Sequence, residues 1–320
     1  MPDLPRRIKI FEEGPREGFQ FEKGPIPTEA KIRLIDALSD TGLRHIQIAS
    51  FVDPRRVPGM ADAEAVARGI RVRPGVEYSA LWMNERGLRQ ALDIPHLRVD
   101  GKVRLYPSGS FLRSNLQRTP EENRAKNVAL IQTCLAIGVP VTEASISSAF
   151  GCNFEGDIPL PSVLAMVEEA LQLFTEHGCT LHHLILADTM AWATPLSVQR
   201  MIGAIRTRHP DLPLRLHLHD TRGMGLANAF AGLAMGIDLF DASIAGLGGC
   251  PFAKHRAAAG NVCTEDLVSM CHEMGIDTGT NLEALVTASE IAQQVVGHPL
   301  PGRVAQAGSL SAIREKRRAA

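Results

Sequence analysis

Residues 182–219 read HHLILADTMAWATPLSVQRMIGAIRTRHPDLPLRLHLH. A β-rich run at 182–187 is followed by an amphipathic stretch at 195–208 and by a second β-rich run at 214–219. Short apolar runs separated by a stretch with helical periodicity predict a strand–helix–strand unit with parallel strands. This part of the chain therefore predicts an α/β fold.

The same alternation runs through most of the chain and predicts a barrel. Strands are predicted at 8–11, 45–49, 77–82, 103–106, 141–147, 182–187, 214–219 and 239–245. Helices are predicted at 29–38, 120–137, 162–177, 195–208, 224–235, 264–274 and 282–296. Eight strands alternating with helices favour a (β/α)8 TIM barrel, here residues 1–280, with a C-terminal helical cap at 281–320. An open doubly wound sheet is the alternative topology, but no GxGxxG sequence follows the first strand to support it.

Composition and charge exclude several classes of partner. The 320 residues carry a formal net charge of −1, so no electrostatic argument favours nucleic acid or an anionic membrane. No apolar run approaches the length of a membrane span. The six cysteines contain no CxxC pair, and the first residues lack an apolar signal core. We expect free thiols and a cytoplasmic location.

Two histidines at the end of the seventh predicted strand are candidate metal ligands. His217 and His219 are two residues apart, and alternate residues of a strand point to the same side. Convergent imidazoles suit a divalent transition metal. The alternative is two partly buried histidines that form hydrogen bonds with their neighbours.

Charged residues also follow the first predicted strand. The stretch EEGPREGFQ occupies 12–20, where glycines and a proline allow a sharp turn. Arg16 and Glu17 offer a cation and an oxygen ligand at adjacent positions. The alternative interpretation is a solvated charged loop.

A glycine-rich loop follows the eighth predicted strand. It reads GLGGCPFA over 246–253 and carries Cys250 at a point from which a thiol can reach substrate and move protons. Asn261 follows shortly afterwards as a possible neutral oxygen ligand, although a helix N-cap or turn is the alternative interpretation.

Six stretches together resemble the 3-hydroxy-3-methylglutaryl-CoA (HMG-CoA) lyase family, part of a TIM-barrel metallolyase superfamily. They are GPREGFQFEKG (14–24), SFVDPRRVPGMAD (50–62), GCNFEG (151–156), ADTMAWATP (187–195), HLHDTRGMGLAN (217–228) and GLGGCPFA with AGNVCTEDLV (246–268). They fall in order within residues 8–275. The run His-Asp-Thr that begins at the second histidine and the Gly-Gly-Cys-Pro loop look like the lyases rather than the related synthases.

The resemblance implies roles for individual residues. It implies a divalent metal, Mg or Mn with Zn or Co as alternatives, held by Glu17, His217, His219 and Asn261. It implies that Arg16 stabilises the enolate of the leaving acyl-CoA, that Cys250 is the acid/base of a mobile loop, and that His217 takes part in proton transfer. Residues implied to line the pocket or support the ligands are Gln20, Gln47, Ser50, Asp188 and Glu265. A homodimer is expected from the same resemblance.

Two positions depart from the family pattern. The family has Asp where this chain has Glu17, and Glu where it has Gln47. Glu17 moves the oxygen ligand out by one methylene, and Gln47 removes a negative charge that would orient Arg16. The expected function is metal-dependent retro-Claisen cleavage of an HMG-CoA-type thioester to acetyl-CoA and a keto acid. The alternatives are a lyase for a different 3-hydroxyacyl-CoA, a catalytically weak relative that binds metal or acyl-CoA, and a condensing synthase.

Overall fold

The computed structural model describes residues 4–22, 24–249 and 260–319. These residues fall into two compact units. The central unit is built on Val99–Leu239, and the terminal unit joins Pro5–Arg98 to the described residues that follow Leu239. Among the described helices, none combines the length and the apolar character that a membrane span requires.

The eight predicted strands are all present in the described residues, with ends that differ by no more than three residues. The strands are β1 (Lys9–Glu12), β2 (His45–Phe51), β3 (Glu77–Trp82), β4 (Leu97–Arg98), β5 (Gly101–Leu105), β6 (Val141–Ile146), β7 (Gly151–Cys152), β8 (Gly156–Asp157), β9 (His183–Ala187), β10 (Leu214–His217) and β11 (Leu239–Ala242). Strands β4, β7 and β8 were not predicted, because two residues are too few to show a period.

The helices include every predicted helix and several shorter ones. They are α1 (Gly14–Phe21), α2 (Thr28–Ser39), α3 (Ala63–Gly69), α4 (Glu85–Leu92), α5 (Gly109–Leu116), α6 (Pro120–Ala136), α7 (Leu160–Glu176), α8 (Pro195–Arg208), α9 (Gly225–Ala234), α10 (Thr264–Glu273), α11 (Leu282–Val296), α12 (Arg303–Ala307) and α13 (Leu310–Ala319). Short 3₁₀ turns lie at Pro58–Met60 and Ile244–Gly246.

The central unit contains four parallel strands in the order β10-β9-β6-β5. Their apolar side chains, such as Leu184 and Leu216, are fully buried. Helix α6 precedes β6 and begins at a capping box, in which the Thr119 hydroxyl accepts from the Glu122 N–H and the Glu122 carboxylate accepts from the Thr119 N–H. Strand and helix alternate in this unit as the sequence predicts.

The terminal unit contains the strands β4-β3-β2-β1-β11 in that order, and β1 to β4 pair in parallel. Along β1 the side chains of Ile10 and Glu12 are buried, as is that of Ile8 just before the strand, while Lys9 is exposed. This period of two places Glu12 on the buried face at the carboxyl end of β1. Helix α11 packs against α2, where Arg33 donates to Gln294 over 2.7 Å.

One predicted loop is a helix. The stretch at 12–20 was interpreted as a turn, whereas Gly14–Phe21 forms α1. That prediction was wrong because the glycines were taken as turn residues, whereas other residues favour the start of a helix. Pro15 lies in the first turn, where its missing N–H costs nothing, and Glu17 places an acid near the helix N-terminus. Arg16 and Glu17 are consequently held on a helix.

Candidate functional site

Helix α1 carries the first group of candidate residues, in the terminal unit. The side chains of Arg16 and Glu17 are 15% and 13% exposed, so they do not belong to a solvated loop. The Glu13 carbonyl oxygen accepts from the N–H groups of both residues, over 3.1 and 2.8 Å. The first turn of α1 therefore fixes both side chains at the carboxyl end of β1.

Polar side chains of Glu13, Glu17 and Gln47 contact the guanidinium of Arg16. Its Nη1 lies 2.8 Å from Glu17 Oε1, its Nη2 lies 2.5 Å from Glu13 Oε2, and its Nε donates to Gln47 Oε1. Burial disfavours the charged form, but the carboxylates of Glu17 and Glu13 outweigh it and raise the pKa of Arg16 above its ordinary value. Arg16 is a fixed, permanently charged cation in a largely buried position.

Asn261 lies beside Glu17. Its Nδ2 donates to Glu17 Oε2 over 2.8 Å. Its Oδ1 is buried and has no hydrogen-bond partner among the described residues. A buried carbonyl oxygen with free lone pairs is a ready ligand for a cation.

Close packing of the preceding glycine fixes the position of Asn261. A Cβ on Gly260 would lie 2.0 Å from the carbonyl oxygen of Leu247, so only glycine fits there. The Gly260 N–H donates to Gly246 O over 3.2 Å. Asn261 is thereby tied to the backbone of the glycine-rich loop.

Two buried carboxylates hold the start of that loop. Glu12 Oε1 accepts from the N–H groups of Gly14 and Ile244, both over 2.8 Å, and its Oε2 accepts from the Thr264 hydroxyl. Glu265 Oε2 accepts from the N–H of Ala245, whose φ of 56° is unusual for a residue with a side chain. Burial raises the pKa of Glu12 to about 7 and also raises that of Glu265. Glu265 supports the loop, and Glu12 was not predicted as a site residue.

Gln20 and Ser50 carry polar atoms suited to substrate contact. Gln20 Oε1 and Ser50 Oγ are buried, and neither has a hydrogen-bond partner among the described residues. Leaving a buried polar atom unpaired costs free energy, so a ligand that pairs with it gains affinity. The pocket-lining role implied for both residues stays a prediction.

His217 and His219 lie close together in the central unit at the end of β10. Their ring centroids are 5.1 Å apart, with the ring planes inclined at 54°. His219 is buried, and His217 is half-buried. The two imidazoles therefore lie on the same side of the chain, as their spacing predicts.

Asp188 lies at the end of β9, beside the histidine pair. Its N–H donates to His217 O over 2.8 Å, and its Oδ1 accepts from the N–H groups of Trp192 and Ala193. Burial raises the pKa of Asp188 to about 6, while His219 and His217 act to lower it. Arg222, which the sequence analysis did not single out, donates to the carbonyl oxygens of Met190 and Ala191 and holds the turn that follows Asp188.

Cys250 lies outside the described residues. The described part of its loop ends at Gly249, with Gly248 at a φ of 103°. A Cβ on Gly248 would lie 3.2 Å from Glu17 Cβ, so the backbone passes close to α1 at that point. The role of Cys250 stays a prediction.

Comparison with known proteins identifies the family. The HMGL-like family matches residues 7–292. This chain belongs to the HMGL-like family.

Three relatives of this family extend the comparison. The mitochondrial hydroxymethylglutaryl-CoA lyase of Mus musculus is 40% identical over 96% of this chain and 91% of its own length. The HMG-CoA lyase of Bacillus subtilis is 37% identical, with a TM-score of 0.87 over 96% of this chain and 99% of that one. An HMG-CoA lyase of Acinetobacter baumannii, solved with coenzyme A and 3-methylmalate, is 34% identical, with a TM-score of 0.85 over 97% of this chain and 98% of that one.

The donor set of the candidate residues fits a divalent cation. Glu17 offers a carboxylate, Asn261 a buried amide oxygen with no hydrogen bond in the described part of the chain, and the two histidines offer imidazole nitrogens. Mixed nitrogen and oxygen ligands of this kind accommodate Mg, Mn, Co or Zn. The residues present are therefore compatible with the metal implied by the resemblance.

Proposed function

We propose that this chain is a hydroxymethylglutaryl-CoA lyase, a carbon–carbon lyase that cleaves HMG-CoA to acetyl-CoA and acetoacetate. The observation that carries the proposal is the largely buried guanidinium of Arg16, fixed beside Glu17 in a chain of this family. Retro-Claisen cleavage produces a thioester enolate, and a preorganised cation is what stabilises that charge.

The metal is proposed to be held by Glu17, His217, His219 and Asn261, with Mg or Mn as the first candidates and Zn or Co as alternatives. When bound, a divalent cation supplies Lewis-acid polarisation of the substrate's hydroxyl and carboxylate oxygens. Asn261 is suited to this set because its Nδ2 is occupied by Glu17 while its buried Oδ1 accepts no hydrogen bond from a described residue.

The protein's own groups account for the remaining requirements of the reaction. His217 is proposed to take part in the transfer of the tertiary hydroxyl proton, with Asp188 at the adjacent strand end influencing the histidine pair electrostatically. Arg16 faces the developing enolate oxygen as a cation that stays charged throughout. Cys250 is proposed to return a proton to the enolate carbon, which releases acetyl-CoA. Gln20 and Ser50 are proposed to orient the acyl group through their buried oxygens.

A second candidate function rests on the two departures from the family pattern. Glu17 is one methylene longer than the family's Asp, and Gln47 is neutral where the family has Glu. A lyase for a different 3-hydroxyacyl-CoA would retain the same Arg16 chemistry with a reshaped metal site. For that enzyme, Glu17→Asp combined with Gln47→Glu should shift kcat/KM toward HMG-CoA; an unchanged substrate profile would remove this candidate.

Finer features of the organisation are also proposed. They are a (β/α)8 barrel over 1–280, a helical extension over 281–320 packed on it, and a homodimer. A cytoplasmic location is proposed because the described cysteines are free thiols, as a reducing compartment favours.

Product analysis tests the proposed function. Purified protein with Mg or Mn is incubated with HMG-CoA, and acetyl-CoA and acetoacetate are quantified by mass spectrometry. The proposal predicts both products in equal amounts as HMG-CoA disappears. Disappearance with free coenzyme A as the product would indicate thioester hydrolysis, and no loss of HMG-CoA by metal-loaded, folded protein would contradict the proposal.

A further inference from the structure

The Arg16 guanidinium is held by an acid that the family resemblance does not assign. Glu13 Oε2 lies 2.5 Å from Arg16 Nη2, and the Glu13 side chain is only 6% exposed. Gln47, which occupies the family's glutamate position, contacts the Nε of the same guanidinium as a neutral acceptor. We propose that Glu13 is the positioning residue for Arg16 and supplies the negative charge that is missing at position 47. This inference rests on the proposed function.

The backbone around Glu13 makes it a rigid support. Its N–H donates to Ala242 O over 2.8 Å, and its carbonyl oxygen accepts from the N–H groups of Arg16 and Glu17. Glu13 thus joins the end of β1 to the first turn of α1, and the spacing of three residues brings its carboxylate beside Arg16. A carboxylate held on such a backbone leaves the guanidinium little freedom to rotate.

Glu17 alone does not balance the charge of the Arg16 guanidinium. Glu17 contacts Arg16 Nη1, but it is also a proposed metal ligand, and a carboxylate that binds a divalent cation neutralises less of a neighbouring guanidinium. Gln47 contributes an acceptor without charge. Glu13 contributes a full carboxylate on the other terminal nitrogen, so the plane of Arg16 is fixed from both ends.

Glu13 does not act as a metal ligand or an acid/base in this account. Its role is to aim Arg16 at the enolate oxygen, which becomes negatively charged only as the carbon–carbon bond breaks. Removal of the support should therefore lower kcat more than it changes KM. A carboxylate that merely stabilises the helix would lower the melting temperature and leave kcat unchanged in folded protein.

A charge-relocation experiment tests the proposal. Turnover of HMG-CoA is measured for the wild-type protein, Glu13→Gln, Gln47→Glu and the double variant Glu13→Gln/Gln47→Glu. We expect Glu13→Gln to lower kcat by about 10- to 100-fold with KM within about 3-fold, and the double variant to recover at least about 10-fold. Glu64→Gln, which breaks an exposed Glu–Arg pair on α3, is the matched control and should leave kcat unchanged.

Two results would overturn the proposal: a kcat of Glu13→Gln within about twofold of wild type, or a loss that Gln47→Glu does not repair in folded protein. A second measurement reports on the mobility of the Arg16 side chain in the absence of substrate. The Nε–H signal of Arg16 in a ¹⁵N NMR spectrum, assigned by its loss in Arg16→Lys, should broaden in Glu13→Gln and sharpen again in the double variant. An unchanged signal would also overturn the proposal. Absence of turnover in the wild-type protein would instead count against the proposed function.

Discussion

Asn261 Nδ2 donates a 2.8 Å hydrogen bond to Glu17 Oε2, although the two residues are 244 positions apart in the chain. The contact joins helix α1 to the segment that follows the glycine-rich loop. It also orients the amide, because the donor end faces Glu17 and the buried oxygen is left for another partner. The proposed metal site depends on this orientation.

Replacement of Asn261 should weaken metal binding. Asn261→Ala removes the amide oxygen and the hydrogen bond to Glu17, and we expect Mn²⁺ affinity to fall by at least about 10-fold. Asn153→Ala is a control that removes an amide from an exposed contact with Trp192. Titration with Mn²⁺, followed by electron paramagnetic resonance, measures the metal affinity of both variants. Equal Mn²⁺ affinity in wild type and Asn261→Ala would exclude Asn261 as a ligand.

A methyl group on Gly260 should displace Asn261. Since its Cβ would lie 2.0 Å from Leu247 O, the backbone must move, at a cost of about 1–3 kcal/mol. We expect Gly260→Ala to lower both the melting temperature and the Mn²⁺ affinity. Gly24→Ala is the matched control, because nothing lies within 4 Å of a Cβ built there. If the two variants behaved alike in calorimetry and metal titration, the close approach would have no role in the site.

Removal of the positive charge at position 16 should lower kcat and leave metal binding intact. Arg16→Gln deletes the charge that faces the enolate, and the loss of one such group costs about 100- to 1,000-fold in kcat. Arg68→Gln, which breaks an exposed pair with Glu64, is the control. Steady-state kinetics together with Mn²⁺ titration separate the two effects. Retained kcat in Arg16→Gln would remove Arg16 from the chemistry.

The buried carboxylate of Glu12 should make stability depend on pH. Its pKa is about 7 in the folded protein against an ordinary 4.5, so the folded state binds more protons within that window. The free energy of unfolding therefore falls as pH rises from about 4.5 to about 7, by roughly 3 kcal/mol from this group. Below about pH 4.5 the stabilisation that comes from protonated Glu12 is fully present.

Glu12→Gln should remove this dependence. The amide oxygen can still accept from the N–H groups of Gly14 and Ile244, and the Thr264 hydroxyl can accept from the new amide group. Urea denaturation of both proteins at several pH values between about 5 and 8 measures the difference. We expect the variant to gain stability relative to wild type as pH rises. If the free energy of unfolding changed with pH in the same way in both proteins, Glu12 would not titrate in this range.

Much of the architecture could be predicted from the sequence because apolar residues recur with clear strand and helix periods. Strand Glu77–Trp82 and helices Pro195–Arg208 and Leu282–Val296 have the predicted ends, since apolar repeats and capping residues mark them locally. The His217 and His219 pair was also predictable, because a spacing of two on a strand places both rings on one side.

What the sequence did not reveal depends on contacts between distant segments. Helix α1 was interpreted as a loop, and with it the spacing of three residues between Glu13 and Arg16 was overlooked. The Pro15 and Glu17 signals of a helix start could have exposed that pair. Glu12 could be inferred only from the buried face of β1, because its partners Ile244 and Thr264 lie more than 200 residues away.

Turnover of HMG-CoA with and without metal is the measurement to make first on the proposed lyase. The protein is stripped with a chelator, assayed with HMG-CoA, and assayed again after addition of Mg or Mn. We expect turnover to disappear on chelation and to return with the metal to an ordinary enzyme rate, about 1 to 1,000 per second. Equal turnover before and after chelation, or none in folded protein with metal bound, would rule out a metal-dependent HMG-CoA lyase.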